Sequence, residues 1–126
     1  LEWNLQRTLA KVNYHIHTDA IKEKLVPPTV TKQQASFIYA DEADLLNVAL
    51  YGETAKQWHD ANPGTKGNIR DYSTIEQLVI LSNLESINAV LIHQCLNQVG
   101  RLQQLNSIAI SQMKSLLNAK NLTKLK

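Results

Sequence analysis

Residues 73–97, STIEQLVILSNLESINAVLIHQCLN, constrain the fold of this chain more than any other stretch. At about 100° per residue the apolar positions fall on two sides. Ile75, Leu78, Val79, Ala89, Val90 and Leu96 make one, and Ile80, Leu81, Leu84, Ile87 and Leu91 the other. A helix apolar around most of its circumference belongs in an interior. Ser82, Asn83, Glu85, Ser86 and Asn88 interrupt the run, which argues against a membrane span. The expectation is a central buried helix over about residues 73–97, with packing partners on two sides.

The remaining periodicities are also helical. Leu5, Leu9, Val12 and Ile16 step by four, three and four, an amphipathic helix that Pro27-Pro28 ends. Thr31 with Gln34 reads as a capping box opening a short segment to Tyr39. A separate helix is expected from Ala40 to Tyr51, with Asp41, Glu42 and Asp44 in its first turns, where the helix dipole favours acids. Gly52 reads as its C′ residue, and Thr54 as the N-cap of a short helix carrying Trp58. The turn formers from Asn62 to Asn68 mark a loop, and Ser73 or Thr74 caps the central helix. A break at residues 98–100 precedes a last helix to about Asn118, with Leu102, Leu105, Ala109, Met113 and Leu116 as its stripe. Residues 118–126 lose the pattern and are expected to fray. No internal repeat and no convincing strand is present. The fold expected is all-α, a compact bundle of about five to six helices forming one domain over residues 1–126.

The single cysteine among 126 residues excludes an internal disulfide and a four-thiolate zinc site,. No signal-peptide pattern opens the chain, and a cytoplasmic setting is expected. All eleven acidic residues lie at or before Glu85, whereas residues 86–126 carry five Lys+Arg and no acid. That basic end, with the loop around Lys66 and Arg70, is the candidate nucleic-acid surface: Lys66, Arg70, Arg101 and Lys114. Five charges over that length are thin, so a solvated surface is the plainer account.

No pattern for catalysis emerges. His15 and His17 on a helix point about 200° apart and cannot share one ion from one face. Cys95 lies among apolar residues, where a thiol behaves as a small hydrophobe. The glycines at 64 and 67 lack phosphate-loop spacing. Residues 41–61 suggest a helix-turn-helix. Five acids there (Asp41, Glu42, Asp44, Glu53, Asp60) against Lys56 oppose phosphate contact. No enzyme activity, cofactor, metal or small-molecule substrate is expected.

The strings LAKVNYHIHTDAIKEKLVPP, YADEADLLNVALYGETAKQWHDANPGTKGNIRDY, IEQLVILSNLESINAVLI and RLQQLNSIAISQM together resemble the C-terminal helical region of bacterial KilA-N domain proteins, a family common in phages and mobile elements. The resemblance spans roughly residues 5–117. It implies an accessory domain of a longer DNA-binding protein, whose DNA contact is made by an N-terminal KilA-N domain outside this chain. It assigns no site residues here. The expected role is therefore a non-enzymatic interaction or assembly domain. The alternative is weak direct nucleic-acid binding by the basic C-terminal region and the 64–70 loop.

Self-association through the last helix is a further expectation. Its apolar arc is wider than one neighbour needs, and Leu105, Ile108, Ile110 and Leu117 are the candidate contacts of a two-fold homodimer.

Overall fold

In the computed structural model, which describes the backbone of residues 2–125 and the side chains of residues 4–5 and 7–119, the chain forms five α-helices and one 3₁₀ turn. Their order is α1 (Glu2–Lys24), α2 (Lys32–Tyr51), α3 (Ala55–Ala61), the 3₁₀ turn Ile69–Tyr72, α4 (Ile75–His93) and α5 (Gln98–Leu125). No strand occurs among the described residues. The fold is a compact all-α bundle in which α4 packs against α1, α2 and α5.

Local chemistry explains where most helices begin. Thr31, Thr54 and Thr74 each accept a hydrogen bond from the backbone N–H three residues on, and Gln34, Gln57 and Gln77 return one to the cap's own N–H. Each such reciprocal pair satisfies two donors that a helix start leaves orphaned. Thr74→Ala should therefore cost about 1 kcal/mol, read as a lowered urea midpoint at unchanged slope. An unchanged midpoint would mean that packing alone fixes the start of α4. Gly52 closes α2 with φ of 80° and donates its N–H to the Val48 carbonyl, a left-handed turn that glycine adopts without strain.

Four boundaries differ from the sequence reading. α2 is continuous from Lys32 to Tyr51 instead of two segments meeting at Ala40. Asp41, Glu42 and Asp44 thus lie in the middle of a helix, and the dipole does not account for them. α4 ends at His93, short of residue 97. Leu96 N–H bonds the Leu91 carbonyl at 3.2 Å, Cys95 N–H bonds that of Ile92 at 2.9 Å, and Cys95 has φ of 62°. This is a Schellman turn with cysteine in the left-handed position. Cys95 is therefore exposed on a turn, and not the buried hydrophobe expected of it. α5 begins at Gln98 and includes Gly100. A Cβ at Gly100 would meet Leu96 Cδ1 at 3.0 Å, so the glycine makes room for Leu96 to reach the core. The helix also continues to Leu125, through the stretch expected to fray; the side chains beyond Ala119 lie outside the described residues.

The two-sided character of the central helix is met in part: of the side expected from Ile75 to Leu96, Ile75 and Val90 are exposed and Leu96 packs on the opposite cluster. Ile80, Leu81, Leu84 and Leu91 of α4 join Leu46 and Ala49 of α2 and Leu105 and Ala109 of α5 in one cluster. Ala89 and Ile92 join Ala20 and Ile21 of α1 in a second. By length and composition α4 would pass as a bilayer span, yet three other helices pack against it. The apolar stripe of α1 behaves differently. Leu5, Leu9, Val12 and Ile16 are between 42% and 61% exposed, whereas His17, Ala20 and Ile21 face inward. At 100° per residue the two sets lie about a quarter turn apart.

Candidate functional site

Two polar constellations sit against α4. The first is interior and joins four helices through five side chains. Glu42 of α2 and Arg101 of α5 form a bidentate ion pair, with Arg101 Nη1 on Oε1 and Nη2 on Oε2. Asn88 of α4 donates to Glu42 Oε1 at 3.0 Å and accepts from Arg101 Nη1 at 3.1 Å. Gln98 donates to Glu42 Oε2 at 3.0 Å, and Arg101 Nε donates to the Leu96 carbonyl at 3.0 Å. Asn88 Nδ2 lies 2.8 Å from His17 Nε2 of α1.

Each protonation state follows from these partners. The Asn88 amide oxygen faces Arg101, so its nitrogen must donate to His17. The imidazole is therefore neutral, with its proton on Nδ1. Burial lowers the His17 pKa to about 4; the Glu42 charge raises it and the Arg101 charge lowers it further. Burial alone would raise the Glu42 carboxyl. Hydrogen bonds from Arg101, Gln98 and Asn88, with the Arg101 charge, outweigh that and hold it below the usual carboxylate range. Glu42 and Arg101 are 1% and 2% exposed. Four donors on one carboxylate satisfy it, and the cluster offers a substrate no free group. Its chemistry is structural: a unique polar match that fixes how α1, α2, α4 and α5 meet.

The second constellation opens to solvent. Between the first half of α1 and α4 lies a groove of about 630 Å³, with Ala10, Leu78 and Val79 among its apolar lining and Arg7, Lys11 and Arg70 as its cations. Asn13 of α1 donates to the Ser82 hydroxyl of α4 at 2.8 Å beside it. Glu85 lines this groove and also a neighbouring cavity of about 410 Å³, as do Arg70 and Tyr14. Glu85 is 4% exposed, and no hydrogen bond or ion pair reaches its carboxylate among the described residues. Burial raises its pKa to about 7, against a smaller downward pull from the Arg70 charge. Its partner-free carboxyl contrasts with the fully bonded Glu42.

The residues singled out from sequence do not assemble into one site. Arg101 is a correction: it is a core residue held by Glu42, and no surface cation. Lys66, Arg70 and Lys114 are exposed. Arg70 borders the α1–α4 groove, while Lys114 borders a separate cavity of about 270 Å³ between α2 and α5. The Lys66 carbonyl accepts from the Tyr72 hydroxyl at 2.9 Å, and Tyr72 packs beside Trp58 with ring centroids 5.4 Å apart. The loop is tied down by its own aromatic residues.

The self-association set divides likewise. Leu105 is fully buried, and Ile108 packs half-buried on the same cluster. Neither is a surface contact, because α2 and α4 together take up more of the α5 arc than one neighbour would. Ile110 and Leu117 are exposed at 51% and 47%. His15 and His17 diverge as expected for their spacing. His15 pairs with Asp19 at 3.2 Å on the surface, while His17 turns inward.

Sequence reasoning missed His17, Glu42, Glu85 and Asn88. The one available signal was an acid or amide inside an apolar run, at Glu85 and Asn88. No family model, curated protein or solved structure matches this chain.

Proposed function

We propose that this chain is a non-enzymatic helical interaction module that pairs with a second copy of itself through α1. The observation that carries this reading is the outward stripe Leu5, Leu9, Val12 and Ile16. Contiguous apolar residues at that exposure are uncommon on a soluble monomer. Their four–three–four spacing is the seam of a two-stranded helical pair. The flanking Thr8 and Asn13 are uncharged, and Arg7 and Lys11 stand on the far side of the helix. Asp19, paired with His15, is the charged residue at the stripe's edge one turn beyond Ile16, so the Leu5–Val12 part of the stripe meets a second copy without like charges facing each other.

The resemblance to KilA-N proteins supports placing such a module in a cytoplasmic DNA-binding protein, where paired subunits suit paired half-sites. The alternative, direct nucleic-acid contact, keeps Lys66, Arg70 and Lys114 but loses Arg101.

Sedimentation equilibrium at tens of micromolar tests the pairing. A dimer is expected that Val12→Asp dissociates, that Ile110→Asp leaves intact, and that added salt barely weakens. A single species at 14.2 kDa, or a dimer indifferent to Val12→Asp, would overturn it.

A further inference from the structure

The groove between α1 and α4 combines three features that the interaction reading does not use. Its lining is largely apolar, through Ala10, Leu78 and Val79; its edge is cationic, through Lys11 and Arg70. Within it lies Glu85, almost fully buried and without a hydrogen-bond partner among the described residues. No side-chain polar atom is buried without a partner among the described residues, so the Glu85 carboxyl meets solvent, and the groove that it lines is where a ligand could reach it. Each half of the charge pattern excludes a class of ligand. A simple anion drawn to Lys11 and Arg70 would face Glu85, and a simple cation drawn to Glu85 would face Lys11 and Arg70, with Arg7 also in the lining.

We propose that this groove binds a small zwitterion with an apolar body, of the kind a hydrophobic α-amino acid provides. The ammonium group rests on the Glu85 carboxylate, the acid group on Arg70 and Lys11, and the apolar part on Ala10, Leu78 and Val79. All of these residues line one cavity, and its volume lies within the ordinary range for small-molecule sites. The raised pKa of Glu85 agrees with a carboxylate awaiting a cationic partner, because a bound ammonium would favour its ionised form. The residues assigned to the ligand all lie within one chain and do not include Val12, although Leu9 of the α1 stripe also lines the groove.

Titration of the intact chain with L-phenylalanine and L-leucine, followed by amide and Glu carboxyl NMR, tests it. Saturable shifts are expected at Ala10, Leu78 and Ser82, with a Kd on the order of 0.1–1 mM. The Glu85 midpoint should fall by about one pH unit on saturation, since an opposite charge at contact favours the ionised form. Phenethylamine and 3-phenylpropanoate, each with one charge removed, should bind at least about tenfold more weakly. Glu85→Gln and Arg70→Ala should weaken L-phenylalanine by a similar factor, while Val12→Asp leaves it unchanged. Absence of saturable binding, equal binding of either half-ligand, or an unmoved Glu85 midpoint would overturn the proposal. The midpoint is read in the unmodified protein, so the outcome does not depend on how the variants fold.

Discussion

Arg101→Met should destabilise the domain by about 3–5 kcal/mol, the usual cost of removing one partner from a buried ion pair. The substitution keeps much of the side-chain length and removes three hydrogen bonds to Glu42 and Asn88, together with the bond to the Leu96 carbonyl. Glu42, at 1% exposure, would then hold a negative charge answered only by Asn88 and Gln98. Glu42→Met should cost a comparable amount, because it strands the guanidinium instead. The double variant should lose less than the two single losses combined, since neither charge remains buried alone. Urea denaturation of all four proteins measures the cycle. Single losses below about 1 kcal/mol, the size of an exposed pair, would show that water reaches this cluster. For a domain whose total stability is about 5–15 kcal/mol, the expected loss removes about a fifth or more.

That cluster also marks where reading the sequence stops. Signals confined to a few residues were legible: Thr31, Thr54 and Thr74 as caps, Gly52 as a stop, and α4 as a helix apolar on two sides. Each depends on geometry within one or two turns. The join within α2 was not legible, because Phe37-Ile38-Tyr39 followed by three acids resembles a boundary. Glu42 is accounted for by Arg101, 59 residues away, and Asn88 by His17, 71 residues away. Nothing in local periodicity encodes such partners. The Leu5–Leu9–Val12–Ile16 stripe shows the opposite failure. The clearest amphipathic pattern in the chain points outward, while α1 packs through His17, Ala20 and Ile21. Periodicity identifies a face that wants burial without saying against which molecule. For the candidate ligand site, Glu85 was visible as an acid within an apolar run. Its placement beside Arg70 depends on how the 3₁₀ turn meets α4.

Acid sensitivity should be hidden in the parent protein and exposed by Glu85→Gln. His17 ionises near pH 6.5 when unfolded but only at about 4 when folded. Between those values the unfolded chain binds more protons, so this group lowers stability as pH falls. From about pH 7 to about pH 5 the loss is about 2 kcal/mol, at 1.36 kcal/mol per pH unit of full titration. Glu85 runs the other way. Its carboxyl ionises near 4.5 when unfolded and about 7 when folded. The folded state holds the extra proton in that interval, and stability rises as pH falls. The two slopes oppose each other over most of the same window, leaving the parent nearly flat there. Glu85→Gln removes one slope, so its stability should drop by about 2 kcal/mol on going from about pH 7 to about pH 5. His17→Gln, whose amide oxygen can still accept from Asn88, should instead gain stability over that interval. Glu42 and Arg101, the charges facing His17, keep their forms throughout, because the carboxyl of Glu42 is held below its usual range. Denaturation profiles at several pH values distinguish the outcomes. A flat profile for Glu85→Gln would mean that His17 takes up a proton in the folded protein, and that the amide of Asn88 turns to accept it.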